Sequence, residues 1–214
     1  MQGKTRIAVL VSGGGTNLQA ILDAQGKGII KSGEVALVIS SNPKAYAIFR
    51  AKSAGIPAKV ITKTKNPVNE YDVPITACDS SSEVETAIIQ ALEESGIEII
   101  VLAGYMSILS EDFVKRYDER ILNVHPSLIP SFCGEGFYGI HVHEAALAKG
   151  VKVTGATVHF VNEIPDGGRI VEQKAVRVMS DDTPETLQRR VMEEAEWVIL
   201  PEAIERISYE HLHK

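Results

Sequence analysis

The sequence predicts an α/β fold: a doubly wound, mostly parallel sheet with flanking helices, of the Rossmann-like type. Three observations predict it. The apolar runs are short and apolar at every position, as in strands that are buried on both faces. Amphipathic helical patterns separate these runs, which is the rhythm of βαβ units. A glycine-rich loop joins the first run to the first helical pattern, where such sheets place a ligand.

The first half of the chain alternates strands with helices. Apolar runs at 7–11, 35–39 and 97–102 predict three buried parallel strands. A helix marked by Leu18, Ile21 and Leu22 follows the first strand, and a second helix is expected over 45–54. Together these elements predict the parallel half of the sheet.

The third helix has the clearest signals. Ser82 and Glu85 have the spacing of a capping box, and Gly96 is expected to close the helix. Its apolar residues recur at the spacing of one helical face: Val84, Ala87, Ile88, Ala91 and Leu92.

The second half has a different rhythm. Residues 121–124 predict a short strand, and a loop rich in glycine and proline follows it. Two more strands are expected over 156–161 and 171–178. Thr183 and Pro184 indicate the start of a long helix that Pro201 is expected to kink or interrupt. One face of that helix carries Leu187, Val191, Ala195 and Val198.

Composition excludes several classes of protein. The 214 residues are 44% hydrophobic and 23% charged, which is ordinary for a globular domain, and we find no repeat or linker. We therefore expect a single domain over 1–214, with a phosphate-binding part at about 1–120 and a catalytic part at about 121–214. The net charge of −6 argues against a nucleic-acid surface. Cys78 and Cys133 have no metal-ligand spacing, so free thiols and no metal are expected.

We find no targeting signal in the sequence. Residues 1–6 are short and polar before the first strand, and no apolar run approaches the ~18 residues of a membrane helix. We therefore expect a soluble, cytoplasmic protein that does not bind membranes.

The loop at 12–17 has the composition of an anion site. Three consecutive glycines permit a tight turn, and a helix N-terminus offers free N–H groups. A dinucleotide fingerprint would need glycine where Leu18 stands and an acidic residue where 40–42 read Ser-Ser-Asn. No Gly-Lys-Ser/Thr of a nucleotide P-loop is present either. The loop favours a single phosphomonoester, and the alternative is a flexible turn.

A polar pair ends the strand in the middle of the chain. Asn123 and His125 are two residues apart, so their side chains project from the same face of a strand. Pro126 keeps His125 extended at the strand end. An amide donor beside an imidazole is suited to acyl transfer, in which an oxyanion forms and a proton moves. Alone, such a histidine is more often structural.

Asp166 adds to this signal. It follows a later strand and begins Asp-Gly-Gly, and its carboxylate could orient His125 and raise the pKa of that imidazole. The alternative is that Asp-Gly-Gly is only a turn.

Five segments carry a resemblance to a known family. They lie in order along the chain: SGGGTNLQ at 12–19, AGYMSILS at 103–110, ILNVHPSLIPSF at 121–132, VTGATVHFV at 153–161 and DGGRIVEQ at 166–173. The chain resembles the folate-dependent phosphoribosylglycinamide formyltransferases (glycinamide ribonucleotide transformylases), of the formyltransferase superfamily, from about residue 5 to residue 205.

The resemblance implies a reaction. The amine of glycinamide ribonucleotide would attack the formyl carbonyl of 10-formyltetrahydrofolate, the co-substrate, without a metal. Asn123 and protonated His125 would stabilise the tetrahedral oxyanion. Asp166 would keep His125 charged and oriented. The partners implied are these two small molecules, and the chain would be a monomer or a homodimer.

The resemblance also implies binding residues. Backbone N–H groups of Gly15, Thr16 and Asn17 would hold the substrate phosphate. Glu196 would bind the ribose, and its alternative is a solvated helix face. The expected folate contacts are Met106, Ser107, Ile108, Leu109, Asn123 and Asn162. His159 is expected to be a packed structural histidine. Many relatives have arginine where this chain has Ser107, so Lys63 or Lys65 would replace that charge toward the folate tail.

Three other functions compete with this one. A methionyl-tRNA formyltransferase would be expected to have a C-terminal nucleic-acid domain and a basic surface. A formyltetrahydrofolate deformylase would be expected to have an additional N-terminal domain. A non-catalytic phosphometabolite-binding module would need only the glycine loop and none of Asn123, His125 and Asp166.

Overall fold

An eight-stranded sheet crosses the whole protein. The computed structural model describes residues 3–214, so Met1 and Gln2 of the expected polar N-terminus lie outside the described residues. The strands are β1 (Thr5–Val11), β2 (Gly33–Ser40), β3 (Ala58–Thr62), β4 (Ile75–Ala77), β5 (Ile99–Leu102), β6 (Ile121–His125), β7 (Val153–Phe160) and β8 (Ile170–Arg177). Their order in the sheet is β4-β3-β2-β1-β5-β6-β7-β8.

Within residues 3–214, seven α-helices flank the sheet. They are α1 (Thr16–Gly26), α2 (Tyr46–Ser53), α3 (Ser81–Glu94), α4 (Glu111–Arg116), α5 (Ile140–Lys149), α6 (Pro184–Val191) and α7 (Trp197–Leu212), and a π-helical turn (Met192–Glu196) joins α6 to α7. None of the helices within residues 3–214 is long and apolar enough to cross a membrane.

The sheet is mostly parallel, as predicted. Strands β1 to β6 pair in parallel, whereas β7 is antiparallel to both β6 and β8. Alternate residues of β1 pack on opposite faces: Ile7 and Val9 join the core beneath α1, α2 and α7, and Ala8 and Leu10 join the core beneath α3 and α4. Both faces are therefore covered, which confirms the doubly wound fold.

The start of α3 differs from the prediction. The helix is capped by Ser80, whose Oγ accepts the Glu83 N–H at 3.2 Å, and the Glu83 carboxylate accepts the Asp79 N–H at 2.9 Å. The predicted Ser82–Glu85 capping box is wrong, because the same Ser-x-x-Glu spacing occurs two residues earlier and Ser80 has the extended backbone of a cap. Glu85 instead accepts the Ser110 N–H at 2.6 Å.

The end of the chain follows the prediction up to the π-helical turn. Thr183 caps α6 and Pro184 is its first residue, as expected. The predicted buried stripe holds through Ala195 and then fails at Val198, which is half-buried, while Ile199 is buried. A π-helical turn adds one residue to a helix and so shifts its buried face by one position. Pro201 lies inside α7 and does not end it.

The order of the strands determines where the ligand crevice lies. From β1, the chain proceeds outward through β2 to β4 and then returns to the other side of β1 as β5. The loops after β1 and β5 therefore diverge to opposite faces, and a crevice opens between them at the carboxyl ends of the strands. Most of the predicted site residues lie at the end of β6 or in the segments that follow β1, β5 and β7, and Glu196 lies in the π-helical turn.

Candidate active site

Three loops meet at the crevice. Ser12, after β1, accepts the Met106 N–H on its Oγ at 2.9 Å, so it joins the loop after β1 to the loop after β5. The same Oγ lies 2.7 Å from Ser41 Oγ, in the loop after β2. The loop predicted to bind phosphate and the segment predicted to bind folate are thus connected by one hydroxyl.

The glycine loop leaves the N-terminus of α1 open. Gly15 has the left-handed φ of 70°, and no side chain caps the helix. A Cβ at Gly15 would lie 2.6 Å from Ala47 Cβ, whereas Gly13 and Gly14 have no neighbour within 4 Å of such an atom. Gly15 is thus needed for its conformation and its contact with α2. The backbone of Gly15, Thr16 and Asn17 forms the uncapped positive end of a helix, which suits an anion.

Gly15→Ala tests the geometry of this loop. The added methyl group meets α2 and a left-handed φ, so we expect a loss of about 1–3 kcal/mol in unfolding free energy and an increased KM for the phosphorylated substrate. Denaturant unfolding and initial-rate kinetics measure the two effects. Gly13→Ala, in open space, is the matched control and should retain its stability. Equal destabilisation of both variants would contradict this account.

Glu196 is buried next to the loop. Its carboxylate accepts the Asn17 Nδ2–H at 2.8 Å, and its side chain is almost completely buried. The alternative of a solvated helix face is therefore wrong. Burial raises the pKa of Glu196, and the Asn17 hydrogen bond opposes this only in part. Asn17 Oδ1 is buried without a hydrogen-bond partner, so an acceptor remains available beside Glu196.

Asn123, His125 and Asp166 are close together, as the sequence predicts. Asn123 and His125 lie two residues apart at the end of β6, and His125 is buried. Asp166 Oδ2 lies 3.5 Å from His125 Nδ1 and accepts the Gly134 N–H at 2.9 Å. The other nitrogen of His125, Nε2, lies 2.8 Å from the Phe132 carbonyl oxygen, so it carries the proton that is donated to that oxygen.

The Asp-Gly-Gly segment is both a turn and part of the site. Asp166 has a left-handed φ of 55°, which few residues other than glycine adopt and which is common at functional sites. A Cβ at Gly168 would lie 1.8 Å from the Phe160 carbonyl oxygen, so only glycine fits there. The tight turn brings the Asp166 carboxylate between His125 and His159.

The pKa directions correct one expectation. Burial lowers the pKa of His125 more than the Phe132 hydrogen bond and the Asp166 charge raise it, so the net direction is below the ordinary value. The Asp166 charge does raise the pKa of His125, as expected, but the lowering by burial is larger, so the expected net increase is wrong. For Asp166, burial raises the pKa, but the neighbouring His159 and His125 rings and the hydrogen bond from the Gly134 N–H together outweigh it, and the net direction is downward.

His143 belongs to this region, and the resemblance placed it near the crevice only as part of a helix start, without a role. It lies in the first turn of α5, is fully buried, and neither ring nitrogen has a hydrogen-bond partner. Burial, with a smaller effect of His125, lowers its pKa to about 4. Its signal in the sequence was its position after the glycine-rich loop that follows His125, which does not by itself separate a buried histidine from an exposed one such as His141.

His143 predicts acid sensitivity of the fold. The folded pKa of about 4 lies below the ordinary value of 6.5, so folding favours the neutral form, and stability is lost as pH falls from 6.5 toward 4. We expect His143 to account for about 1–2 kcal/mol of the unfolding free energy lost between about pH 7 and pH 5. His143→Leu should remove that part of the pH dependence in urea titrations, and His141→Leu, the exposed control, should not. The same acid dependence in all three proteins would contradict this prediction.

The expected folate segment borders a cavity of about 710 Å³. Met106 and Ile108 are exposed, and Leu109 packs partly against the core, so the segment presents apolar surface to solvent. Ser107 and Lys63 line the same cavity, and Lys63 Nζ lies 3.1 Å from Ser81 Oγ. Asn162, across the crevice, uses its Oδ1 to accept the Ile164 N–H at 3.0 Å and so fixes the loop before Asp166.

No cluster of three or more metal-binding side chains occurs within residues 3–214. His125 and His159 face carbonyl, carboxylate and amide groups, which suits proton transfer between hydrogen-bonded partners.

Comparison with known proteins agrees with this geometry. The family model described as formyl transferase matches residues 5–204. The phosphoribosylglycinamide formyltransferase of Haemophilus influenzae is 41% identical over 92% of this chain and 84% of its own length. A chloroplastic protein of that name from Arabidopsis thaliana is 38% identical over 89% of this chain, which spans 61% of the length of that relative.

Solved structures give the same result. Glycinamide ribonucleotide transformylase 1 from Symbiobacterium toebii has a TM-score of 0.82 and 39% identity, covering 97% of this chain and 89% of that one. A formyltetrahydrofolate deformylase from Pseudomonas syringae is more distant, with a TM-score of 0.78 and 25% identity, and this chain covers 62% of it.

The fold and the site together are those of an α/β enzyme with an amide, an imidazole and a carboxylate at the ligand crevice. The chain belongs to the formyl transferase family, and its relatives of similar length are phosphoribosylglycinamide formyltransferases.

Proposed function

We propose that this protein transfers the formyl group of 10-formyltetrahydrofolate to the amine of glycinamide ribonucleotide, a step of purine biosynthesis. The observation that carries the proposal is the grouping of Asn123, His125 and Asp166 beside an open helix N-terminus. A binding module needs only the helix N-terminus. An acyl transferase needs both the helix N-terminus and the catalytic side chains.

The chemistry starts with a neutral His125, in place of the protonated one that the resemblance implies, because burial lowers the pKa of this imidazole. The substrate amine attacks the formyl carbon, and the carbonyl oxygen becomes an oxyanion that accepts a hydrogen bond from Asn123. His125 takes the proton of the amine on Nδ1, because its Nε2–H is already held by the Phe132 carbonyl. Asp166 stabilises the imidazolium so formed. The tetrahedral intermediate then collapses, the bond to folate N10 breaks, and His125 returns the proton to that nitrogen.

Phosphate and ribose have complementary groups beside the catalytic residues. The backbone N–H groups of Gly15, Thr16 and Asn17 suit the phosphate. Glu196 and the unpartnered Oδ1 of Asn17 suit ribose hydroxyls, because both are acceptors and each sugar hydroxyl has one proton to donate.

The formyl donor fits the cavity on the other side of the crevice. Exposed Met106 and Ile108 provide apolar surface for a planar ring system, and backbone groups between 106 and 109 provide polar contacts. Ser107 carries no charge, so Lys63, which lines the same cavity, takes the role of the cation toward the glutamate tail. Lys65 is not among the residues that line it.

The proposal includes the organisation of the protein. The whole chain acts as one formyltransferase domain, because Asn17 and Glu196, far apart in sequence, meet at one site. Its substrates are soluble metabolites, which fits the cytoplasm. Size-exclusion chromatography with light scattering distinguishes a monomer from a homodimer.

Acceptor dependence tests the proposal. Folate absorbance is followed with 10-formyltetrahydrofolate in the presence and absence of glycinamide ribonucleotide. Turnover only with the ribonucleotide supports the transferase. Equal turnover without it supports a deformylase, the second candidate, which the similarity to the Pseudomonas syringae enzyme favours. No turnover by the folded protein supports a binding module.

A further inference from the structure

His159 is a buried histidine that the mechanism above does not use. It lies on β7, and its antiparallel register places it directly opposite Asn123 on β6. Side chains of such a cross-strand pair lie on the same face of a sheet and are in contact. Only 1% of His159 is accessible to solvent.

The two ring nitrogens of His159 have different partners. Nδ1 lies 2.8 Å from the Phe160 carbonyl oxygen. A carbonyl oxygen can only accept, so Nδ1 carries a proton. Nε2 lies 3.1 Å from Asn123 Nδ2 and 3.5 Å from Asp166 Oδ1. The state of Nε2 decides which of these two groups it can bond.

The distances favour Asn123 as the partner. A charge-assisted bond from a protonated Nε2 to a carboxylate would be about 2.7–2.9 Å long, well below the observed separation from Asp166. An Nε2–H would also face the amide N–H groups of Asn123, which cannot accept. A neutral ring with a lone pair on Nε2 satisfies the contact of 3.1 Å, since Asn123 Nδ2–H donates to it.

We propose that His159 is a positioning residue for formyl transfer: its neutral ring, anchored through Nδ1–H, accepts one N–H of Asn123 and so fixes which side of that amide faces the reacting carbonyl. This inference rests on the proposed function. One N–H of Asn123 is held by His159, and the other is left to donate to the oxyanion. Without His159 the amide can rotate and present its oxygen, which would repel the oxyanion.

Two substitutions test the contributions of the two ring nitrogens of His159 separately. His159→Asn retains a short amide near the position of Nδ1 and removes the acceptor near Asn123. His159→Gln reaches the position of Nε2 and restores an acceptor there. We expect His159→Asn to lower kcat about 10- to 100-fold, less than the ~10²–10³ loss for deleting an oxyanion donor, with KM for the ribonucleotide changed by less than about threefold. His159→Gln should recover part of kcat.

A double-mutant cycle distinguishes a positioning role of His159 from a purely structural one. In an Asn123→Ala background, His159→Asn should lower kcat by less than about threefold, because the group through which it acts is gone. The same fold loss in both backgrounds, or no loss in the wild-type background, overturns the inference. Unfolding midpoints of all four proteins identify any loss that is due to misfolding.

A measurement on the unliganded protein tests the inference independently of turnover. Long-range ¹H–¹⁵N NMR should show His159 neutral near pH 7, with Nδ1 protonated and Nε2 unprotonated, and Asn123→Ala should shift the Nε2 resonance. A protonated Nε2 overturns the inference even if the protein is an active transferase. The expected spectrum with no turnover would instead reject the proposed function and leave the Asn123–His159 hydrogen bond established.

Discussion

His125→Ala is expected to lower kcat/KM for formyl transfer by about 10²–10⁴, the usual contribution of a general acid–base group. The fold should survive this change. The imidazole makes one hydrogen bond, to the Phe132 carbonyl, and its removal should cost about 1–3 kcal/mol of unfolding free energy. Initial rates and denaturant titrations of the same preparation measure both quantities.

His141→Ala is the matched control for that variant. His141 lies in the first turn of α5, half exposed, and contacts Glu144. It should retain the wild-type rate. If a folded His125→Ala keeps the wild-type rate, or if both variants lose the same activity, the catalytic assignment of His125 is wrong.

Asp166→Asn should have the second large effect. The carboxylate stabilises the imidazolium form of His125, and an amide cannot, so we expect kcat to fall by about 10²–10⁴. The pH profile gives a sharper prediction. Asp166 raises the pKa of His125 against the larger lowering by burial, so its removal lowers that pKa further. The acid limb of kcat/KM should therefore move to lower pH in the residual activity of this variant.

Glu163→Gln removes a carboxylate from the same loop at an exposed position and is the control. It should leave both the rate and the acid limb unchanged. An acid limb that stays in place or moves to higher pH in Asp166→Asn would mean that the carboxylate does not raise the pKa of the titrating group, and the pairing of Asp166 with His125 would have to be abandoned.

The fold was largely predictable because its signals are local. A strand buried on both faces is apolar at every position, as at 7–11, and Thr183-Pro184 marks a helix start in any context. The errors occurred where local signals are duplicated or altered. Ser80 and Ser82 both precede a glutamate by three residues, and only tertiary packing selects the first. The π-helical turn before α7 changes the helical period without any residue that marks it.

The site was predictable only where spacing fixes geometry. Asn123 and His125 are two residues apart on a strand, so their proximity follows from the sequence. The role inferred for His159 depends on the register of β7 against β6, which pairs His159 with Asn123. The sequence of neither strand alone specifies that register. The lowered pKa of His125 depends on burial by a loop, which the sequence does not quantify.

The central claim is that the formyl group passes from folate to the amine of the ribonucleotide. A single-turnover reaction with ¹³C-formyl-labelled 10-formyltetrahydrofolate and glycinamide ribonucleotide tests it most directly, with products resolved by mass spectrometry. We predict that the label appears in the formylated ribonucleotide at the rate at which the folate loses it. Label recovered as formate, at a rate that the ribonucleotide does not alter, would contradict the account.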